Sequence, residues 1–361
     1  MTDPQTAPRT DASNTRHTAP RAAPHTAPLT ALVTDENVWP WLRDDPTLAE
    51  HGVETVHVPF EETERLHHRL PEADACVSVF FPAGLAARTG TRLRLLQIAA
   101  AGTDHIAWPE LPATVTVANS FGHGRSVAEH VLMTVLAGRR DLLRQDAQLR
   151  AGHWRTRLVD PDTPSFRTLP GTTVGIVGLG HIGAHVAALC TAVGMRPIGI
   201  RRSRTVRTTA EPGFAWVDGP HALPDLLRES QVLVLACPLD DTTYGMIGAA
   251  ELGLLGPDAL LVNVGRGALV QEEALYEALR TRRLGAAALD VWTTPANPSP
   301  TPASPLPFHE LPNVIMTPHS SATAEDTYRD RAHEIAANLR RLAAGEPLRH
   351  VVRAGEAERV R

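Results

Sequence analysis

The chain has 361 residues, 43% of them hydrophobic, which is enough for two domains of ordinary size with a sizeable core. A net charge of −5 leaves no basic field for nucleic acid or an anionic membrane surface. All 35 cationic residues are arginine, which excludes chemistry built on a Schiff-base lysine or a phosphate-loop lysine.

No apolar run approaches the ~18 residues of a membrane span. Cys76, Cys190 and Cys237 are scattered through apolar segments and read as reduced core residues of a cytoplasmic protein, not as a disulfide or metal framework. Residues 1–29 repeat Thr-Ala-Pro units without apolar periodicity, which predicts a disordered tail; Asp3 and Asp11 argue against a transit peptide.

Order is expected from the strand 29–34, followed by strands over 53–59, 75–79, 95–99 and 114–118 with helical segments between. That alternation predicts a parallel α/β sheet. Residues 126–150 read as one long amphipathic helix that crosses to a second unit. There, strands are expected over 174–178, 195–201, 231–236, 259–264, 286–291 and 313–316. Six strands with crossover helices match a doubly wound dinucleotide domain. The last apolar helix, 324–344, is expected to return to the first unit. The fold class is therefore α/β with two Rossmann-like parallel-sheet domains. A flavodoxin-like catalytic domain is expected over 30–125 and 322–350, and a dinucleotide-binding domain over 126–321. The Pro-rich loop 293–307 is long for a compact domain, and such loops are usually functional or mobile.

Within the second unit, Val174-Gly175-Ile176-Val177 runs into Gly178-Leu179-Gly180-His181-Ile182-Gly183 and then a helical run. This is Gly-x-Gly-x-x-Gly in the order strand, turn, helix. Gly178 permits the turn, Gly180 lets a pyrophosphate approach the backbone, and Gly183 lets helix and strand pack closely. The helix N-terminus offers unpaired N–H groups to phosphates.

An acidic residue near the end of the next strand would bind the ribose hydroxyls of NAD. Arg201-Arg202-Ser203-Arg204 stands there instead and suits a 2′-phosphate, or is an arginine-rich surface turn. NADP(H) is the expected cofactor, with NAD(H) as the alternative. His181 and His185 have metal-ligand spacing, but no Glu follows His181; they read as a surface pair, and no metal is expected.

Three further stretches place polar groups where a strand ends: Asn263 to Gly267, Ala288 to Trp292, and Met316 to Ser321. Hydride transfer to a carbonyl needs a cation for the substrate carboxylate and an acid for the proton. Arg266 can grip a carboxylate through two parallel bonds, and His319 can exchange a proton near neutral pH.

As a set, Ala100 to His105, Ser126 to His130, Gly178 to Gly183, Cys237-Pro238-Leu239, Val264 to Gly267 and Thr317-Pro318-His319 resemble the NAD(P)-dependent D-2-hydroxyacid dehydrogenase family. The resemblance covers roughly residues 30–350. Val79 to Leu85, Ser126 to His130 and Asp290-Val291-Trp292 are similar to its formate dehydrogenases.

The resemblance implies that Arg266 binds the substrate carboxylate and carbonyl and that His319 is the acid/base. It also implies an anion site of backbone N–H groups at Ala101 and Gly102, with Phe81 and His123 as further substrate contacts. Asp290 would bond the nicotinamide carboxamide, with Ser321 nearby, and Pro238 would line the adenosine pocket. His181, Ile182, Cys237 and Val264 complete the expected cofactor set. The implied assembly is a homodimer whose site lies between two domains that close on the ligand.

Two departures stand out. The family Glu that pairs with the catalytic His, Gln in formate dehydrogenases, falls at Pro295 by count or at Thr294 when aligned on the proline. The Asn that holds formate is replaced by His123, which is either a second cation for a doubly charged substrate such as a phosphonate or a loop histidine.

The expected function is hydride transfer between nicotinamide and a small 2-hydroxy or 2-oxo acid, or a phosphonate analogue. The alternatives are a formate- or phosphite-type dehydrogenase and a nucleotide-sensing binding protein with little turnover.

Overall fold

The computed structural model describes residues 28–163, 165–293 and 302–356. All but the last two residues of the expected tail lie outside them. Two α/β sheets account for the described chain. The first contains β1 (Leu29–Val33), β2 (Val53–His57), β3 (Ala75–Ser78), β4 (Leu95–Ile98) and β5 (Thr116–Ala118). Its residues in β3, β4 and β5 are buried on both faces, as a parallel sheet under helices on either side requires. The second contains β6 (Thr173–Val177), β7 (Arg196–Ile200), β8 (Trp216–Asp218), β9 (Val232–Leu235), β10 (Leu260–Asn263), β11 (Ala286–Leu289) and β12 (Val314–Met316). A final strand, β13 (Val351–Arg353), returns to the first sheet.

The first sheet runs β2-β1-β3-β4-β5-β13, a flavodoxin-like order with only β13 antiparallel. The second runs β8-β7-β6-β9-β10-β11-β12 and is wholly parallel. Its order reverses between β6 and β9, and ligands bind at such a switch point, outside the carboxyl ends of the strands.

The structure corrects three expectations. The second sheet has seven strands, because Trp216–Asp218 pairs beside β7. The first gains the antiparallel edge strand Val351–Arg353, too short and too exposed to show alternation. The single helix expected over 126–150 is two, Gly124–Arg139 and Leu142–Arg150, divided at Asp141. Asp141 takes the left-handed conformation (φ 51°), which Asp tolerates better than most residues.

Each crossover helix joins the core it can cover. Val127, Ala128, Val131 and Val135 of Gly124–Arg139 pack in the nucleotide-sheet core with Ile176, Val186 and Val262. Ala332, Ile335, Ala336 and Leu339 of Glu325–Ala344 pack on the first sheet with Ala31, Val33, Val77 and Leu95. The two crossovers are tied together, since Ser126 Oγ donates to the Ser321 carbonyl at 2.7 Å and Phe121 N–H donates to Glu334 Oε2 at 2.7 Å. Among the described residues, no helix is long and apolar enough to cross a membrane.

Candidate active site

The carboxyl end of β6 turns at Gly178, where φ is 100° and a Cβ would lie 2.6 Å from Cys237 N. Only glycine fits that turn. A Cβ at Gly183 would overlap the Gly178 carbonyl, so the helix His181–Ala192 sits directly on the strand end. At Gly180, by contrast, a Cβ would meet nothing within 4 Å. That open space lies over the N-terminus of a 12-residue helix and fits a dinucleotide's pyrophosphate. Ile182 packs toward the core, and His181 turns its ring onto Phe121 at a centroid distance of 4.0 Å. His185 lies against Gly124, where a Cβ would come within 2.7 Å of its ring.

Around the far end of the nucleotide groove, Arg201 Nη2 donates to the Leu179 carbonyl at 3.2 Å, bringing its guanidinium against the glycine turn. Arg202 reaches Asp240 at 2.8 Å, just beyond Cys237 and Pro238, and Arg204 reaches Glu211 at 2.9 Å. Ser203 is exposed in the same turn. No acid stands at the end of β7, but Glu211 folds back to Arg201 (3.6 Å) and Arg204 from the following loop.

On the other side of the switch point, Asn263 Nδ2 donates to the Arg266 carbonyl at 2.9 Å and its Oδ1 accepts from Gly265 N at 3.1 Å. This clip aims the Arg266 side chain at the first unit. There Nε and Nη2 donate to the two carboxylate oxygens of Asp104, at 3.1 and 2.9 Å. Gly102 lies against the same guanidinium so closely that a Cβ would overlap Nη2. The Ala101 carbonyl accepts from Asn119 at 2.8 Å. Burial alone would raise the Asp104 carboxyl, but the hydrogen bonds and charge of Arg266 outweigh it and hold it below its ordinary value.

His319 follows β12 with φ at 58°, a strained conformation for an imidazole residue. Asp290 holds it there. Its Oδ1 accepts from Thr317 Oγ1 (2.6 Å) and Ser320 N (2.9 Å), and its Oδ2 accepts from Ser321 N (3.0 Å). Those bonds, with Ser321 and Thr317 foremost, keep the buried Asp290 carboxyl below its ordinary value although burial pushes it up. Desolvation by the surrounding chain lowers the His319 pKa most, although the residue keeps an exposed face. Arg266 and His105 lower it further, while Asp290 and Asp104 oppose them. The net result is an imidazole that gives up its proton more readily than usual.

Two expected substrate contacts, Phe81 and His123, are buried. Phe81 is fully buried in the core of the first sheet, and the ring facing His105, at 4.9 Å, is that of the half-exposed Phe80. Adjacent strand-end residues point to opposite sides, which puts Phe81 in the core and Phe80 beside His105. His123 is also buried, with Nδ1 hydrogen-bonded to the Phe121 carbonyl. Burial depresses its pKa most, helped by Arg331 and His181 and opposed by the Phe121 carbonyl and Glu334, so the ring is engaged with its own loop. Thr294 and Pro295 lie outside the described residues. Val264 is buried beside the Arg266 loop, and Ser321 is buried beside Asp290. Asp104 lies in the Ala100–His105 stretch, yet nothing in the sequence pairs it with Arg266.

The family model for the D-isomer specific 2-hydroxyacid dehydrogenase NAD binding domain matches residues 132–321. The chain belongs to the D-2-hydroxyacid dehydrogenase family. It is 38% identical over 225 residues to a glyoxylate reductase of Aeropyrum pernix, covering 61% of this chain and 64% of that one. It is 31% identical over 282 residues to a glyoxylate reductase of Korarchaeum cryptofilum, covering 77% and 82%. Among solved structures of the family, an NADPH-dependent glyoxylate/hydroxypyruvate reductase from Sinorhizobium meliloti, in complex with NADP and sulfate, superposes with a TM-score of 0.73 at 27% identity. That likeness covers 90% of this chain and 98% of the other. The match to the Aeropyrum enzyme thus spans less than two thirds of its length.

Proposed function

We propose that the protein is an NAD(P)-dependent oxidoreductase that reduces a small 2-oxo acid to its 2-hydroxy acid, or runs the reverse. The observation that carries this reading is that Arg266 and His319, within electrostatic reach of each other, follow β10 and β12 at the same sheet edge as the Gly180 cradle, with Gly102 of the first unit packed against the Arg266 guanidinium. The bound nicotinamide would supply or accept the hydride at the substrate carbonyl carbon. Arg266 would hold the carboxylate and polarise the carbonyl oxygen. In reduction, His319 would give its proton to that oxygen, so C=O becomes CH–OH. In oxidation it would take the proton back.

NADP(H) is the proposed cofactor, supported by the Arg201–Ser203 turn against the glycine loop and by the NADP complex of the Sinorhizobium relative. The burial of His123, with its ring bonded to the Phe121 carbonyl, favours a monocarboxylate over a phosphonate. The division into a substrate unit (30–125 and 322–350) and a dinucleotide unit (126–321) belongs to this proposal. So do a cytoplasmic location and a homodimer, the latter supported by exposed Met133, Leu136, Leu142, Leu143, Leu149 and Trp154.

The test is nicotinamide absorbance with glyoxylate, hydroxypyruvate and pyruvate for reduction, and formate and phosphite for oxidation, each with both cofactors. Turnover above roughly 1 s⁻¹ with a 2-oxo acid is expected. Consumption with formate or phosphite alone would contradict the reading.

A further inference from the structure

A guanidinium has five N–H donors in a fixed fork. In Arg266, Asp104 takes one donor on Nε and one on Nη2, and the Gly265 carbonyl takes one on Nη1 at 2.9 Å. Two donors remain, one on each terminal nitrogen, spaced for the two oxygens of a carboxylate. Asp104 therefore does not fill the edge that a substrate would use. It occupies the neighbouring edge and fixes which way the free one points.

We propose that Asp104 is a positioning residue for Arg266, turning the terminal edge of the guanidinium toward the substrate carboxylate across the cleft. The inference rests on the reading of Arg266 as the carboxylate clamp. The two residues are 162 positions apart and come from different sheets, so the pair forms only when the units lie face to face. The bare backbone of Gly102 leaves room for the guanidinium and the Asp104 carboxylate to meet beside it. Asp104 is also 3.6 Å from His105 Nε2, so the same carboxylate faces both Arg266 and the His105 ring at the rim. Without it, Arg266 could offer a carboxylate its Nε edge, at an angle that carries the carbonyl away from the hydride.

The opposing reading makes Asp104 a plug that the substrate must expel, and the two differ in sign. The probe is oxamate, a 2-oxo acid isostere that cannot turn over, titrated into the full-length protein saturated with NADPH. Asp104→Asn is expected to weaken oxamate roughly tenfold, the worth of one charge-assisted bond, with NADPH affinity unchanged. Asp104→Glu, which keeps the charge, should recover part of the loss. In turnover, KM for glyoxylate should rise with it. Oxamate binding that is unchanged or tighter in Asp104→Asn overturns the inference, as does a wild-type complex that binds no oxamate. If the wild type binds oxamate, loses it on Asp104→Asn, yet reduces no 2-oxo acid, the positioning role stands and the catalytic reading falls.

Discussion

Gly102 and Arg266 approach so closely that a single added methyl at position 102 would overlap the Nη2 atom. No left-handed backbone conformation is needed at Gly102, so alanine can be built without backbone strain. The cost falls on the arginine, which Asp104 and Gly265 hold in place. Gly102→Ala is expected to cut kcat/KM for a 2-oxo acid by about 100-fold, the scale of a misplaced clamp. Thermal stability and NADPH binding should stay near wild type, and calorimetry beside steady-state kinetics separates the two.

His319 should govern the pH profile. Its pKa lies below the ordinary imidazole value of about 6.5 because desolvation, with Arg266 and His105, outweighs Asp290 and Asp104. Reduction needs the protonated ring, so kcat/KM for reduction should fall as pH rises through that depressed value. Oxidation needs the neutral ring and should rise through the same range. His319→Ala should cost roughly 10²–10⁴-fold in the chemical step. A pH-independent variant with near wild-type rate would remove His319 from the role.

Asp290 secures the strained turn at His319. Asp290→Ala leaves the Thr317 hydroxyl and the Ser320 and Ser321 N–H groups without their acceptor, a loss of roughly 3–9 kcal/mol at 1–3 per group, toward the low end because only Ser321 is fully buried. Denaturant unfolding would measure it. The Asp290 carboxyl is held below its unfolded value of about 3.9, so its contribution is complete above that pH and is lost as pH falls through the folded value. Asp290→Asn should therefore show a shallower loss of stability in acid than the wild type.

Arg201 and Arg202 should set the cofactor preference. Each charge-assisted bond to a 2′-phosphate is worth roughly 1.5–3 kcal/mol, or about 10- to 150-fold. Replacing both by alanine should raise the NADPH dissociation constant at least tenfold and leave that of NADH within about threefold. Equal losses for both nucleotides would place the pair outside the 2′-phosphate site.

Much of this site is legible in the chain because its logic is local. The glycines at 178, 180 and 183 and the polar residues that end β10 and β12 announce a ligand edge through spacing alone. The features that escape are those set by distant partners. Asp104 gains its meaning only from Arg266, 162 residues away. Phe80 and Phe81 differ only in which side of a strand end they face, and a one-residue shift in phase exchanges core for cleft. Asp141 breaks a helix whose apolar pattern continues past it, and β8 and β13 are three residues each, too short for periodicity to register.

The central claim is that hydride passes between nicotinamide C4 and the carbonyl carbon of a 2-oxo acid clamped by Arg266. Its most direct test is a single turnover with NADPH deuterated at the transferring position of C4 and glyoxylate or hydroxypyruvate, with the product read by mass spectrometry. The account predicts one deuterium at C2 of the 2-hydroxy acid in the wild type and none with Arg266→Ala, while Arg266→Ala still binds NADPH. A bound but unconsumed nucleotide in the wild type, or product without label at C2, would contradict it.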